Sequence, residues 1–156
     1  MRLCEILSQE RILVDSDGGF IHNKSDALRL MARMLAPAVD VEPAEIERLL
    51  TDREKLQSTG IGDGVAIPHA SADAATRQAA ALLLCPHGVA FEAIDGADVN
   101  IVFGVLGPRR ATGEHLRTLA RISRLLRDES TRTQLQHSAS AEEAFRMIEA
   151  HEEAMR

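Results

Sequence analysis

Two apolar runs, Ala79-Ala80-Ala81-Leu82-Leu83-Leu84-Cys85 and Val99-Asn100-Ile101-Val102-Phe103-Gly104-Val105-Leu106, limit what this chain can fold into more than any other feature. Neither alternates with polar residues, which is the pattern of a strand covered on both faces rather than one washed by water on one side. Two such strands need helices above and below them, so a layered α/β sandwich is expected.

The flanking sequence supplies those helices. Ala27, Leu28, Met31, Met34 and Leu35 fall at helical spacing behind Asn23 or Ser25, either of which can cap, and Pro37 is expected to end the helix. Glu42-Pro43 opens a second helix, where a missing N–H costs nothing, with Ile46, Leu49, Leu50 and Leu56 along one face. After Gly107-Pro108 and the Asp95-Gly96 turn before it, a long amphipathic helix is expected from near Thr112, carrying Leu116, Leu119, Ala120, Ile122, Leu125 and Leu126. Two more are expected over 129–136 and 141–155, the last opened by a capping box of Ser140 and Glu143. At the start, residues 3–7 form an apolar-faced turn and 11–14 a brief strand. The Asp15-Ser16-Asp17-Gly18-Gly19 turn predicts a hairpin back to Phe20-Ile21.

With 156 residues, 45% of them hydrophobic, one core can hold the apolar side chains, and no repeat or linker divides the chain, so a single domain over 1–156 is expected. There are 24 acidic residues against 18 basic ones, a net charge of -6, which argues against broad nucleic-acid binding. The one basic row, Arg117, Arg121, Arg124 and Arg127, reads as the solvated face of a helix. Cys4 and Cys85 show neither disulfide nor zinc spacing and are expected to be reduced and structural. The absence of Trp and Tyr removes any stacking platform for bases or sugars. No signal pattern opens the chain and no stretch reaches the roughly 18 apolar residues of a membrane span, so a cytoplasmic protein without membrane insertion is expected.

The segment Ser58-Thr59-Gly60-Ile61-Gly62-Asp63-Gly64-Val65-Ala66-Ile67-Pro68-His69 concentrates the features that point to chemistry. Pro68 stiffens the backbone on both sides of itself, so the imidazole of His69 leaves in a defined direction. Gly60, Gly62 and Gly64 permit close approach of backbone N–H groups to an anion, and Ser58 and Thr59 add hydroxyl donors. On this pattern alone a structural histidine remains the commoner reading. Phosphoryl transfer to an imidazole also needs cationic partners, and two residues qualify. Arg53 closes the preceding helix with a fork suited to phosphate, and His115 in Gly113-Glu114-His115-Leu116 lies in the first turn of the long helix. Each taken singly reads as an ordinary polar helix residue.

Taken together, Arg53-Glu54-x-Leu56-x-Ser58-Thr59-Gly60-Ile61-Gly62-x-Gly64-Val65-Ala66-Ile67-Pro68-His69 closely resembles the signature of the type-2 EIIA domains of the bacterial phosphoenolpyruvate-dependent phosphotransferase system, the fructose and mannitol class. The resemblance continues through Phe91-Glu92-Ala93-Ile94-Asp95-Gly96 and from Glu114 through Arg127, and is strongest to the nitrogen-regulatory branch. It implies a mixed five-stranded sheet with helices on both faces, in a three-layer sandwich. It implies that His69 is the phosphorylated nucleophile, with Arg53 and His115 as helpers. An HPr-type phosphocarrier would be the donor, and an EIIB, or regulated targets such as transporters or kinases, would lie downstream. No cofactor and no metal are implied, and a free-standing domain without EIIB or EIIC segments is expected. Gln57 and Asp63 depart from the usual pattern, and an added carboxylate at 63 would slow transfer modestly unless it points to solvent. Three other readings compete: a sugar-specific EIIA, a binding module that is never phosphorylated, and a metal-dependent hydrolase built on His69, His115 and Asp95. The remaining histidines, His22, His87, His137 and His151, are expected to be solvated.

Overall fold

The computed structural model describes residues 2–154. Two 3-10 turns, Leu3–Glu5 and Gln9–Arg11, lead into strand β1 (Ile12–Val14), followed by helices α1 (Lys24–Val39) and α2 (Pro43–Leu56). Strands β2 (Gly60–Gly62), β3 (Val65–Ala66), β4 (His69–Ala72), β5 (Ala79–Val89) and β6 (Val99–Pro108) come next. A further 3-10 turn, Arg109–Ala111, and helices α3 (Thr112–Arg127), α4 (Glu129–Gln136) and α5 (Ala141–Ala154) complete the described chain; Met155 lies outside the described residues.

The sheet is mixed, in the order β1-β5-β6-β3-β2, with β4 also paired to β6. β5 and β6 are the expected buried strands, paired antiparallel from Ala79 opposite Leu106 to Val89 opposite Val99, with a bulge between Leu84 and Val89. On the far side of β6, Val65 pairs with Ile101, Ala66 with Val102, His69 with Val105 and Ala70 with Leu106, all parallel. The sequence separation is the same in every pair, so β3 and β4 are two halves of one strand interrupted at Ile67-Pro68. Proline offers no N–H to a ladder, which accounts for the gap. Counted this way the sheet is five strands wide, as the family resemblance implies.

Strand alternation divides the core. Ala79, Ala81, Leu83, Cys85, Val102 and Leu106 face α1 and α2, against Leu28, Met31, Leu35, Ile46 and Leu50. Ala80, Leu82, Leu84, Ile101, Phe103 and Val105 face the other way, against Ile122, Leu125, Leu135, Ala144 and Ile148 of α3, α4 and α5. Helices cover both faces, giving the three-layer sandwich. A side chain at Gly104 would collide with Met31 Sδ, so the absent side chain is what lets α1 seat on β6.

Local expectations fail in four places. The turn at 15–19 does not lead to a hairpin: β1 pairs parallel with β5, Ile12 opposite Leu82. The Asp15 carboxylate, 1% exposed, accepts the N–H of Phe20 at 3.1 Å and of Ile21 at 2.8 Å, capturing donors that a returning strand would need. Pro37 does not end α1, which continues to Val39 and stops at Asp40 with φ 58; the buried Val39 keeps the final turn packed. Leu56 and Leu116 are 82% and 61% exposed and belong to the surface rather than the core. His87 is exposed as expected but sits within β5 rather than in a turn, its Nε2 3.9 Å from an Asp15 oxygen. Burial pushes the Cys4 and Cys85 thiols up to about 12, so neither is a thiolate at neutral pH.

Candidate functional site

The interruption at Ile67-Pro68 places His69 at the start of β4, on the α3 side of the sheet in phase with Val65 and Ile67. Opposite Ile67, Thr59 accepts the Ile67 N–H at 3.0 Å but turns its own N–H to the Glu54 carboxylate. The Ile67 carbonyl, left without a strand partner there, lies 2.7 Å from His69 Nδ1. A carbonyl only accepts, so Nδ1 carries the proton and Nε2 of the neutral ring keeps its lone pair. Burial, supported by the Arg53 charge, lowers the His69 pKa below its ordinary value, despite the opposing hydrogen bond to Ile67. The imidazole is therefore unprotonated at neutral pH, the state a nucleophile requires.

The three residues picked out by sequence meet at one place. Arg53, in the last turn of α2, anchors one nitrogen on the Gln57 carbonyl at 2.9 Å and lines a cavity of about 170 Å³ with His69, Thr59, Ile61, Ile67, Leu119 and Ser123. His115, 9% exposed, places its ring centroid 5.7 Å from that of His69 at an interplanar angle of 50°. Burial, and then the neighbouring His69, lower its pKa as well.

The glycine-rich segment takes a form other than the expected cradle. Ser58 Oγ donates to the Phe91 carbonyl at 2.7 Å and accepts the Gly60 N–H at 3.1 Å, so its hydroxyl is turned inward. Thr59 directs both its N–H and its hydroxyl to the Glu54 carboxylate. Gly60 cannot carry a side chain because a Cβ would meet Ala93 Cβ at 2.8 Å. Asp63 and Gly64, at φ 58 and φ 77, form a two-residue hairpin turn between β2 and β3, with Gly62 (φ 99) before it. A register shift in β2 leaves Ile61 49% exposed beside the His69 cavity. These residues brace the site: their hydroxyls and the Thr59 and Gly60 N–H groups are spent on the protein itself. Asp63 sits on the hairpin tip, its N–H held by Asp95 at 3.2 Å.

Sequence reasoning missed the brace at the centre of this arrangement. Glu54 is 8% exposed and lies 2.6 Å from Lys24 Nζ while it holds Thr59. It follows Ile46 and Leu50 at steps of four, so a carboxylate in phase with the apolar stripe was the available signal. Leu119 and Ser123, one and two turns beyond His115, form the α3 wall of the cavity. Among the described residues no three His, Cys, Asp or Glu side chains are grouped to hold a metal ion, and Asp95 is occupied by the N–H groups of Asp63 and Ala97.

The fold is an α/β sandwich that presents a neutral, tautomer-fixed histidine beside an arginine and a second histidine. Residues 5–151 match the family described as the phosphoenolpyruvate-dependent sugar phosphotransferase system, EIIA 2, and the chain belongs to that family. It is 35% identical over 149 residues to the nitrogen regulatory protein of Pseudomonas aeruginosa, covering 95% of each chain. Among solved structures, the nitrogen regulatory protein IIA-Ntr of Neisseria meningitidis superposes with a TM-score of 0.86 at 32% identity, covering 93% of this chain and 97% of that one. The mannitol enzyme IIA of Escherichia coli, solved in complex with phosphorylated enzyme IIB, superposes at 0.76 with 25% identity, covering 92% and 96%. The chain is thus a phosphotransfer component of the EIIA type, with a fold shared by nitrogen-regulatory and mannitol members.

Proposed function

We propose that His69 is the phosphoryl acceptor and that the chain serves the nitrogen-regulatory branch, taking its phosphoryl group from an HPr-type phosphocarrier. The observation that carries this reading is the 2.7 Å contact between His69 Nδ1 and the Ile67 carbonyl, which leaves Nε2 as the nucleophilic nitrogen in a cavity shared with Arg53. In the transfer, His69 Nε2 forms a bond to phosphorus as the donor's own nitrogen–phosphorus bond breaks, in line across the cavity. Arg53 is placed to neutralise the equatorial oxygens, and His115 to donate to one of them. Half-exposed Ile61 and exposed Leu116 offer an apolar rim for the donor. With 35% identity to a nitrogen regulatory protein along 95% of both chains, the downstream role is control of partner proteins by phosphorylation state. The mannitol enzyme IIA seen with its enzyme IIB supports transfer to an EIIB as the second reading.

The test is incubation with phosphoenolpyruvate, Enzyme I and HPr-type carriers of both branches, followed by intact mass and acid lability. One acid-labile phosphoryl group is expected, absent in His69→Ala and formed about tenfold or more slowly in Arg53→Ala. The preferred donor assigns the branch. An adduct that persists in His69→Ala, or none with either donor, overturns the proposal.

A further inference from the structure

Beneath the histidine pair lies a polar cluster that the phosphoryl chemistry described so far does not use. Gln78, just before β5, is 5% exposed, and its Nε2 donates to Glu114 Oε1 at 3.1 Å. Its Oε1 is buried without a partner, and so is His115 Nδ1. Both side chains cross the same residue of β6: a Cβ built on Gly107 would lie 3.4 Å from Gln78 Cγ and 3.7 Å from His115 Nδ1. With no side chain at 107, the Gln78 stem and the imidazole edge both lie against one open position.

The polarity of the two unpartnered atoms is then determined. A carboxylate only accepts, so Glu114 fixes the Gln78 amide with its NH2 outward and leaves its carbonyl as an acceptor. A buried acceptor without a donor is destabilising, and so is a buried imidazole nitrogen without a partner. One proton on His115 Nδ1 relieves both, directly or through a single bridging water. We propose that Gln78 is a positioning residue for phosphoryl transfer: held by Glu114, it fixes the Nδ1–H tautomer of His115 and turns Nε2 toward the group carried by His69.

The consequence is complementary to the arrangement at His69, where a backbone carbonyl selects the same tautomer. When the phosphoryl dianion arrives, a proton from solvent adds to His115 Nε2 and makes a charge-assisted hydrogen bond to it. The imidazolium so formed keeps its Nδ1–H on Gln78. This inference rests on His69 being the acceptor, but its first readout does not.

The experiment is two-bond 1H–15N correlation of the imidazoles in the unphosphorylated, 15N-labelled protein at about pH 8, where histidines near their ordinary value of about 6.5 are neutral. Wild-type His115 is expected as the Nδ1–H tautomer. Gln78→Met, of similar volume but without the acceptor, is expected to shift it toward Nε2–H and to slow phosphorylation about threefold to tenfold. Glu114→Ala, at a half-buried position on the first turn of α3, frees the carboxamide to rotate and shifts the tautomer in the same direction even if Gln78→Met fails to fold. A wild-type Nε2–H tautomer, or unchanged His115 signals in the folded variants, overturns the inference. The tautomer shift together with an adduct that survives His69→Ala instead counts against the acceptor role of His69.

Discussion

β6 has two neighbours, and they are held to it by different means. On one side β5 runs antiparallel along it, and residues 79–85 of β5 are fully buried. Facing side chains on both surfaces are aliphatic or aromatic, and the pairing is stabilised by area removed from water. On the other side the β3–β4 strand keeps a constant register but is broken at Ile67-Pro68, and the segment leading into it is tied down by polar contacts: Lys24 to Glu54, Glu54 to Thr59, Ser58 to Phe91. The dry side specifies the fold, whereas the broken side gives up ladder hydrogen bonds and gains a histidine of selected tautomer. The gap in the sheet is where the proposed chemistry sits.

Substitutions on the two sides should separate stability from activity. Phe103→Ala, at a position with no exposure, is expected to cost about 3–5 kcal/mol, read as a lower urea midpoint, with phosphoryl acceptance retained by whatever fraction stays folded. Glu54→Ala strips a mostly buried ammonium and a buried threonine of their partner at once, at about 2–3 kcal/mol, less than a fully buried pair because Lys24 keeps some water. Its sharper signature is a loss of amide protection confined to 58–67 together with slower transfer. Protection lost evenly over β5 and β6 would show that the polar ties belong to the global core.

Acidity probes the site side by itself. His69 and His115 both have pKa values lowered by burial, so near and below the ordinary value of 6.5 the unfolded chain binds protons that the folded chain does not. Stability is therefore expected to hold above that value and to fall as the pH drops through the lowered folded values. His69→Asn should flatten part of that slope in urea titrations at successive pH values. A steeper slope in the variant would mean that the His69 pKa is raised. The smallest effect is expected at the hairpin tip: Asp63→Asn keeps a residue that tolerates positive φ and should leave transfer unchanged, and a clear slowing would give the carboxylate a positive role.

The dry side of this comparison was readable in advance. Unbroken apolar runs named β5 and β6, and helical spacing named α1, α2 and α3, because those patterns follow from burial on two faces or one. Arg53, His69 and His115 could be picked out by residue type and by family resemblance, but only the fold shows that Arg53 and His69 share a cavity with the His115 ring 5.7 Å from that of His69. The polar ties were opaque for specific reasons. Glu54 reads as one more charge in Asp52-Arg53-Glu54-Lys55 unless its phase with Ile46 and Leu50 is checked. The Asp63-Gly64 turn has the composition of a tight hairpin, yet the bulge in β2 breaks the alternation that would have announced the flanking strands. Gln78 carries no motif, and its partners Glu114 and His115 come from a helix far along the chain.

The constant register of the broken strand also bears on the order of folding. β5 and β6 adjoin in sequence and can zip together early, whereas every contact of β3 and β4 with β6 closes a loop of the same, longer length. Once one such pair has formed, the rest follow without further loss of chain entropy, so the strand docks in a single step on a finished hairpin. The site around His69 accordingly assembles after the β5–β6 hairpin. Substitutions at Val65 or Ala66 should chiefly speed unfolding, while those at Leu83 or Val102 should slow folding.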